Sequence, residues 1–199
     1  MEDRTRLFLV RHGETTTASE FRYIGHMDVD ITENGIKQMN NLKDRFKEEE
    51  INALYSSDLI RTKKGAKIIS SCHQIEPVAL KEFREINLGI WEGLTREEII
   101  ERYPREYKQR LEELANYRIK GGESFKDLQE RVVKKLLEIL NESKGKNVML
   151  LAHGGVNRAI LFDILNLDLQ LLPRIDQVYG CLNIIDYYDD GPVIKLVNG

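Results

Sequence analysis

Two short apolar stretches that each end in a histidine constrain the fold of this chain more than any other feature. Residues 7–10 are all apolar and lead into Arg11 and His12, and residues 148–152 are all apolar and lead into His153. A glycine follows each histidine. Continuous apolar runs of this length between polar residues are typical of strands that are buried on both faces of a parallel sheet. Both stretches are therefore expected to be central strands.

The ends of these strands are where a ligand is expected to bind. In open α/β sheets, ligands bind just beyond the carboxyl ends of the parallel strands. If the two strands are neighbours, His12 and His153 meet at the same edge of the sheet, and the glycine after each histidine lets a ligand come close to the backbone. A polar loop over residues 16–30 is expected to line this edge.

Strand-like and helical segments alternate along most of the chain, which predicts the fold class. The 199 residues are 41% hydrophobic, which is enough for one core and falls within the usual range of a single domain. We predict an α/β fold, a three-layer αβα sandwich with a mostly parallel central sheet and helices on both faces. One domain is expected to span residues 1–199.

Local signals place several of the elements between the two histidine strands. Strands are expected over 51–56 and over 75–80, the second at the sheet edge because of Pro77. Ser57 and Asp58 are expected to cap the helix that carries Arg61 in its first turn.

The second half of the chain is expected to be mainly helical before the last strands. Thr95 opens a capping box, and the charged segment 105–120 is interpreted as an exposed helix over the site, so that residues 95–120 form a helical lid. Ser124 is expected to cap a long amphipathic helix. Residues 189–191 indicate a hairpin near the end.

The charge balance and the cysteines exclude several classes of protein. A formal net charge of −3 gives no footprint for nucleic acid. No apolar run approaches the length of a membrane span, and residues 1–4 do not resemble a signal peptide, so a cytoplasmic protein is expected. Cys72 and Cys181 are expected to be buried free thiols.

The residues at the strand ends suit a phosphate group better than a metal ion. Arginines beside imidazoles repel a metal, so no metal and no cofactor are expected, whereas arginines bind phosphate oxygens and a neutral imidazole is a competent nucleophile toward phosphorus. Arg61 in the first turn of a helix would add to such a site, although a surface arginine is the simpler interpretation of that residue alone.

The leaving oxygen of a phosphate ester also needs a proton. Glu85, in a loop with two nearby glycines, is the carboxylic acid best placed to supply this proton. Glu14, Glu82 and Glu92 lie close enough in sequence to remain alternatives.

Several blocks of the sequence together resemble one family. Residues 11–15 are followed by Arg22, by Gly25, by Asp28 or Asp30, and by Thr32 and Gly35. Residues 55–62, 84–89, 91–93, 122–124 and 152–155 continue the match in the same order. This pattern is similar to that of the histidine phosphatase superfamily, which includes cofactor-dependent phosphoglycerate mutase, and it covers nearly the whole chain.

The resemblance implies a role for each matching residue. His12 would be the phosphorylated nucleophile, and Glu85 would protonate the leaving group and then activate water. Arg11, Arg61 and His153 would form the phosphate pocket and belong to the catalytic set. The remaining substrate-binding residues would be Gly154, Thr15, Arg22 and Tyr23.

The chain departs from the family pattern at two positions and is most similar to one branch. Ala18 and Ile24 stand where many members have asparagine and glutamine, so two hydrogen bonds to the substrate are missing. The compact length and residues 23–25 and 89–93 resemble the branch that includes α-ribazole phosphatase.

The expected activity is hydrolysis of a small phosphomonoester, with α-ribazole 5′-phosphate as one candidate substrate. A phosphoglycerate mutase is one alternative, although the added segments of longer mutases are missing here. A non-catalytic module that binds a phosphorylated ligand is another, and a homodimer is one option for the assembly.

Overall fold

The computed structural model describes residues 4–199, which form one six-stranded sheet with helices on both sides. The first three positions, on which the expected absence of a signal peptide partly depends, lie outside the described residues. The strands are β1 (Thr5–Arg11), β2 (Ala53–Ser56), β3 (Val78–Ala79), β4 (Asn147–Ala152), β5 (Leu182–Tyr188) and β6 (Gly191–Leu196). The helices are α1 (Glu33–Phe46), α2 (Ile60–Ser70), α3 (Arg96–Arg102), α4 (Pro104–Glu112), α5 (Phe125–Glu142) and α6 (Gly154–Ile164).

The sheet has the strand order β3-β2-β4-β1-β5-β6. The first four strands of this order run parallel to one another, whereas β5 is antiparallel to both β1 and β6. The antiparallel pair is the predicted hairpin at the end of the chain. The predicted α/β class with a mostly parallel sheet is therefore confirmed.

The two histidine strands are direct neighbours, as predicted. β1 and β4 pair in parallel with Arg11 opposite Ala152, so the residue after each strand is a histidine. The backbone N–H of His12 donates to the carbonyl oxygen of Ala152 at 3.1 Å. This register brings His12 and His153 to one edge of the sheet.

The side chains of β1 alternate between two apolar cores, one on each face of the sheet. Phe8 and Val10 pack with residues of α1 and α2, and Leu7 and Leu9 pack with residues of α5 and α6. Successive residues of a strand point to opposite faces, so an all-apolar strand fills both layers. Burial of these faces is the main force that holds the edge with His12 and His153 in place.

Three helices begin where the sequence predicts, each with a capping side chain. Thr32 caps α1. Thr95 and Glu98 form a full capping box at α3, and Ser124 and Asp127 form the same arrangement at α5. These contacts are local in sequence, which explains why the pattern predicts them.

The predicted cap of α2 is wrong. α2 begins at Ile60, and neither Ser57 nor Asp58 caps it, because Arg84 holds the Asp58 carboxylate with hydrogen bonds of 2.6 and 2.7 Å. The Asp28 carboxylate, from the loop before α1, accepts the N–H of Ile60 at 2.7 Å instead. A residue distant in sequence thus occupies this helix end.

The helix predicted over residues 105–120 is also too long. Pro104 occupies the first turn of α4, which ends at Glu112. Beyond it the chain turns, and the Arg110 guanidinium donates to the carbonyl oxygens of Leu114 and Tyr117 at 2.8 and 3.1 Å. These bonds replace the helical ones that the apolar spacing predicts.

Two smaller expectations need correction. The predicted strand over 75–80 is reduced to the two residues of β3, although it does lie at the sheet edge. Cys181 is buried as expected, but Cys72 is exposed because it follows the end of α2. Among the helices of residues 4–199, none has the length and apolar character that a membrane crossing requires.

Candidate active site

His12 lies at the end of β1 with one ring nitrogen held and the other free. Its Nδ1 lies 2.7 Å from the carbonyl oxygen of Gly13. A carbonyl can only accept, so Nδ1 carries the proton and Nε2 keeps its lone pair. Burial, followed by the charges of Arg61 and Arg11, lowers the pKa of His12 well below its usual value of 6.5. The ring is therefore neutral at pH 7, as a nucleophile must be.

His153 is fully buried behind His12, and both of its nitrogens are used by protein groups. Arg61 Nε–H donates to Nδ1 at 3.2 Å, so the proton of the neutral ring is on Nε2, which lies 2.8 Å from the Ser57 hydroxyl. Burial, together with the nearby Arg61 charge, lowers the pKa of His153 well below 6.5. In this structure His153 contacts Arg61 rather than the cavity beside His12.

Arg61, in the first turn of α2 as predicted, is only 1% exposed and is held on three sides. Besides its bond to His153, it donates to the carbonyl oxygens of Gly25 at 2.7 Å and Met27 at 2.9 Å. A guanidinium has five N–H groups, so two remain for a ligand. Burial lowers the pKa of Arg61, but an arginine stays charged at neutral pH.

The loop that holds Arg61 is fixed by Glu92. The Glu92 carboxylate accepts the backbone N–H groups of Gly25, His26 and Met27 at 3.1, 2.7 and 3.1 Å. The carbonyl oxygens of this same turn accept from Arg61. The Glu92 carboxylate is thus occupied by hydrogen bonds to the loop, which argues against Glu92 as the proton donor.

Arg11, the residue before His12, also belongs to the site and retains unpaired donors. Its Nη1 donates to the carbonyl oxygen of Gln177, and its guanidinium carbon lies 3.9 Å from the centre of the Tyr179 ring. Its Nε is buried and has no acceptor among the described residues. Its Nη2 makes no hydrogen bond within residues 4–199 and is not sealed from solvent, so a phosphate oxygen in the site could accept from it.

One cavity of about 700 Å³ joins these groups and is called the active-site cavity below. Among the predicted site residues, those that line it are Arg11, His12, Thr15, Arg22, Tyr23, Arg61 and Glu85. Ala18 and Ile24, the two departures from the family pattern, also line it.

Two predicted binding residues do not line the active-site cavity. His153 is sealed behind Arg61, and Gly154 is buried next to Arg11, where an added Cβ would lie 3.4 Å from its Nε. The next residue, Gly155, does line the cavity and donates its N–H to Glu85 at 2.8 Å. His153 and Gly154 are thus set back from the cavity in this structure, and their contact with a ligand stays a prediction.

Glu85 is the only carboxylate residue that lines the cavity within residues 4–199. It accepts the N–H of Ile86 at 2.9 Å and that of Gly155 at 2.8 Å, one on each oxygen. Glu14, by contrast, is bonded to Thr32 at 2.8 Å outside this cavity. The geometry thus favours Glu85 among the four glutamates that the sequence left open.

Two arginines of the cavity wall, Arg110 and Arg158, are not predicted from the sequence. Arg158 comes from α6, and burial lowers its pKa; its Nε donates to the carbonyl oxygen of Ile175 at 2.6 Å. It stands four residues after Gly154 in a predicted helix, a spacing that could have indicated the same face. Arg110 comes from α4 and had no such signal.

The donor set of the site is cationic rather than metal-binding. Across the described residues, no group of three or more His, Cys, Asp or Glu side chains is arranged to hold a metal ion. Around His12 the structure instead gathers guanidinium groups and a single carboxylate. This arrangement can bind a phosphate dianion and present an imidazole nitrogen to it.

Comparisons with known proteins agree with this geometry. A model of the histidine phosphatase superfamily (branch 1) matches residues 7–199. A metal-independent phosphoserine phosphatase of Arabidopsis thaliana is 37% identical over 163 residues, covering 80% of this chain and 68% of the relative. Phosphoglycerate mutase-like protein 4 of the same plant is 34% identical over 161 residues, covering 79% and 70%.

A solved structure with a very similar fold is that of α-ribazole phosphatase from Shigella flexneri. The two chains align with a TM-score of 0.90, covering 98% of this chain and 96% of the other. At 22% identity this likeness shows the fold alone. The family match and the two plant relatives show that this chain belongs to the enzymes of the histidine phosphatase superfamily, branch 1.

Proposed function

We propose that this chain hydrolyses a small phosphomonoester through a phosphohistidine formed on His12. The observation that carries the proposal is the free Nε2 of a neutral His12, which shares the cavity with two arginines that have unused N–H groups. A nitrogen that accepts the phosphoryl group needs a lone pair aimed at phosphorus. The hydrogen bond from Nδ1 to the carbonyl oxygen of Gly13 keeps the proton on Nδ1 and so leaves the lone pair on Nε2.

In the first step, Arg11 and Arg61 bind the phosphate oxygens and hold phosphorus in line with Nε2. The nitrogen lone pair forms the N–P bond while the bond from phosphorus to the ester oxygen breaks. Glu85 in its acid form gives its proton to the departing oxygen, so the product leaves as an alcohol. The arginines neutralise the charge on the transferring group.

In the second step, water replaces the alcohol. The Glu85 carboxylate takes a proton from this water as its oxygen attacks phosphorus, and the N–P bond breaks to release inorganic phosphate. His12 recovers its lone pair and Glu85 its proton. His153 acts through Arg61, whose direction it fixes, and is therefore a positioning residue.

For the substrate, the proposal covers small phosphorylated metabolites. The wall of Tyr23, Trp91, Tyr107 and Phe125 could stack on the base of α-ribazole 5′-phosphate, the candidate suggested by the resemblance. O-phosphoserine is a second candidate because of the name of the 37% identical relative. Helices α3 and α4 would act as the lid of a single domain, since Tyr107, Arg110 and Leu111 line the cavity from that side.

The test is phosphate release from p-nitrophenyl phosphate together with trapping of labelled phosphate on the enzyme. We expect an acid-labile, alkali-stable phosphoenzyme, turnover that persists in EDTA, and loss of both signals in His12→Asn. Transfer of phosphate between substrate hydroxyls without release would instead indicate a mutase. Binding without turnover would indicate a phospho-ligand module.

A further inference from the structure

Glu85, the proposed proton donor, lies on a segment that is neither a strand nor an α-helix. A short 3₁₀ helix ends at Phe83, and residues 84–88 have no regular secondary structure. The carbonyl oxygens of such a segment need partners from elsewhere in the fold, because an unpaired buried carbonyl is costly. Whichever group supplies these partners also determines where the backbone of Glu85 lies.

Arg131, in the second turn of α5, is this partner. Its Nη1 donates to the carbonyl oxygen of Glu82 at 2.6 Å, and its Nη2 lies 2.9 and 3.0 Å from the carbonyl oxygens of Arg84 and Glu85. One planar guanidinium thus binds three carbonyl groups, including that of the proposed acid itself. Arg131 does not line the active-site cavity, so it contacts Glu85 only from outside the site.

The Glu123 carboxylate holds Arg131 in turn. Arg131 Nε and Nη2 donate to its two oxygens at 2.8 and 2.9 Å, and the backbone N–H of Asn87 donates to it at 2.9 Å. Burial acts to raise the pKa of Glu123, but the hydrogen bonds from Arg131 and Asn87 lower it overall, so this carboxylate is charged at neutral pH. The backbone is therefore anchored to Arg131 and Glu123 on both sides of Glu85.

Apolar packing alone does not give the segment this precise placement. Phe83 and Ile86 belong to the same buried core as Leu128 of α5, which holds the segment against that helix. Burial of apolar surface is non-directional, whereas hydrogen bonds fix both distance and direction. The bonds from Arg131 are therefore the contacts from α5 that orient the backbone of Glu85.

We propose that Arg131 is a positioning residue for proton transfer, which places the Glu85 carboxyl group within reach of the leaving oxygen. This inference rests on the proposed phosphatase function. A general acid must lie within hydrogen-bond distance of the atom it protonates, and a displacement of about 1 Å can cost about 10²-fold in rate. Arg131 itself neither gives nor takes a proton. Its loss should impair proton transfer and leave the contacts of Arg11 and Arg61 with phosphate intact.

The experiment compares benzyl phosphate, whose alcohol is a poor leaving group, with p-nitrophenyl phosphate, whose leaving group needs little protonation. In Arg131→Gln we expect kcat for benzyl phosphate to fall by about tenfold to a hundredfold, and kcat for p-nitrophenyl phosphate by less than about threefold. KM for both esters should change by less than about twofold, because Arg131 does not line the cavity.

A double-mutant cycle with Glu85→Gln tests whether Arg131 acts through Glu85. Glutamine at this position has no proton to donate, so adding Arg131→Gln should lower kcat for benzyl phosphate by less than about threefold further. An additional loss of about tenfold or more in the double variant would overturn the proposal, because Arg131 would then act by another route.

Arg118→Gln is the matched control, because it breaks another arginine–carboxylate pair of α5. Arg118 Nη2 donates to Asp127, in the first turn of this helix, at 2.6 Å, and within the described chain Arg118 makes no hydrogen bond to residues 82–87. The ratio of kcat for the two esters should stay at its wild-type value in this variant. If Arg131→Gln does not fold, Arg131→Lys and Glu123→Gln should shift the ratio in the same direction by a smaller factor.

Equal slowing of the two esters in Arg131→Gln would overturn the proposal, because it would show that Arg131 only supports the fold. An unchanged kcat for both esters would overturn it as well. Failure of the wild-type chain to release phosphate from either ester would instead contradict the phosphatase function. A wild-type ratio in Glu85→Gln would contradict the acid role of Glu85, and this inference would fall with it.

Discussion

The imidazole rings of His12 and His153 lie edge to face, with their centres 5.1 Å apart. The two rings have different environments, since His12 lines the cavity with a free Nε2 and His153 has both nitrogens bonded to protein. One histidine is therefore available for chemistry, and the other holds an arginine in place.

Glu85→Gln should slow esters with poor leaving groups far more than p-nitrophenyl phosphate. A glutamine keeps the shape but cannot donate the proton, which is worth about 10²- to 10⁴-fold for an alkyl ester. p-Nitrophenolate leaves without much protonation, so its loss should be about tenfold or less. Steady-state kcat/KM for both esters gives the measurement, and equal slowing would remove Glu85 from the acid role.

Ser57→Ala should weaken phosphate binding although Ser57 does not line the active-site cavity. The change leaves the Nε2–H of His153 without its acceptor and frees the ring that directs Arg61. We expect the inhibition constant of inorganic phosphate to rise by a factor of about ten. Ser70→Ala, which changes a buried serine at the end of α2, is the control. An unchanged constant in Ser57→Ala would argue against positioning through His153.

Glu92→Gln should loosen the loop that holds Arg61. A glutamine presents an N–H₂ group to backbone donors at Gly25, His26 and Met27, so at least one hydrogen bond is lost. The free energy of unfolding should fall by about 1–3 kcal/mol, and KM for p-nitrophenyl phosphate should rise. Denaturant unfolding and kinetics, with the exposed Glu101→Gln as control, measure the two effects. A loss of stability with no change in KM would show that Glu92 does not affect substrate binding through Arg61.

Folding stability should decline as the pH falls below about 6.5. Burial lowers the pKa of both His12 and His153, so below pH 6.5 the unfolded chain binds protons that the folded chain does not. Each histidine makes the free energy of unfolding fall by up to about 1.4 kcal/mol per pH unit on acidification. Its contribution to stability is fully present above pH 6.5 and is lost as the pH falls below that value. Urea unfolding between pH 7.5 and 5 measures this slope. The slope should be smaller in His12→Asn, and an equal slope would contradict the lowered pKa of His12.

Much of the fold could be predicted because its determinants are local. The apolar runs before His12 and His153 specify buried strands, and the capping residues Thr95 and Ser124 specify helix starts. The expected cap of α2 failed because Asp28, a residue distant in sequence, accepts the first N–H of that helix. The helix predicted over 105–120 is too long because apolar spacing does not show that the Arg110 side chain bonds to the carbonyl oxygens of Leu114 and Tyr117.

The amino-acid sequence by itself determined the α/β class and the edge at which the histidines meet, because strand periodicity and glycine positions act within a few residues. The resemblance of its motifs to a family pattern indicated the roles of the residues proposed for phosphate chemistry. Only the tertiary structure decided which histidine faces the cavity, which of the four glutamates lies beside it, and that Arg110 and Arg158 join its wall. Those outcomes depend on hydrogen bonds and burial between segments far apart in the chain, and such contacts exist only after the helices have packed on the sheet.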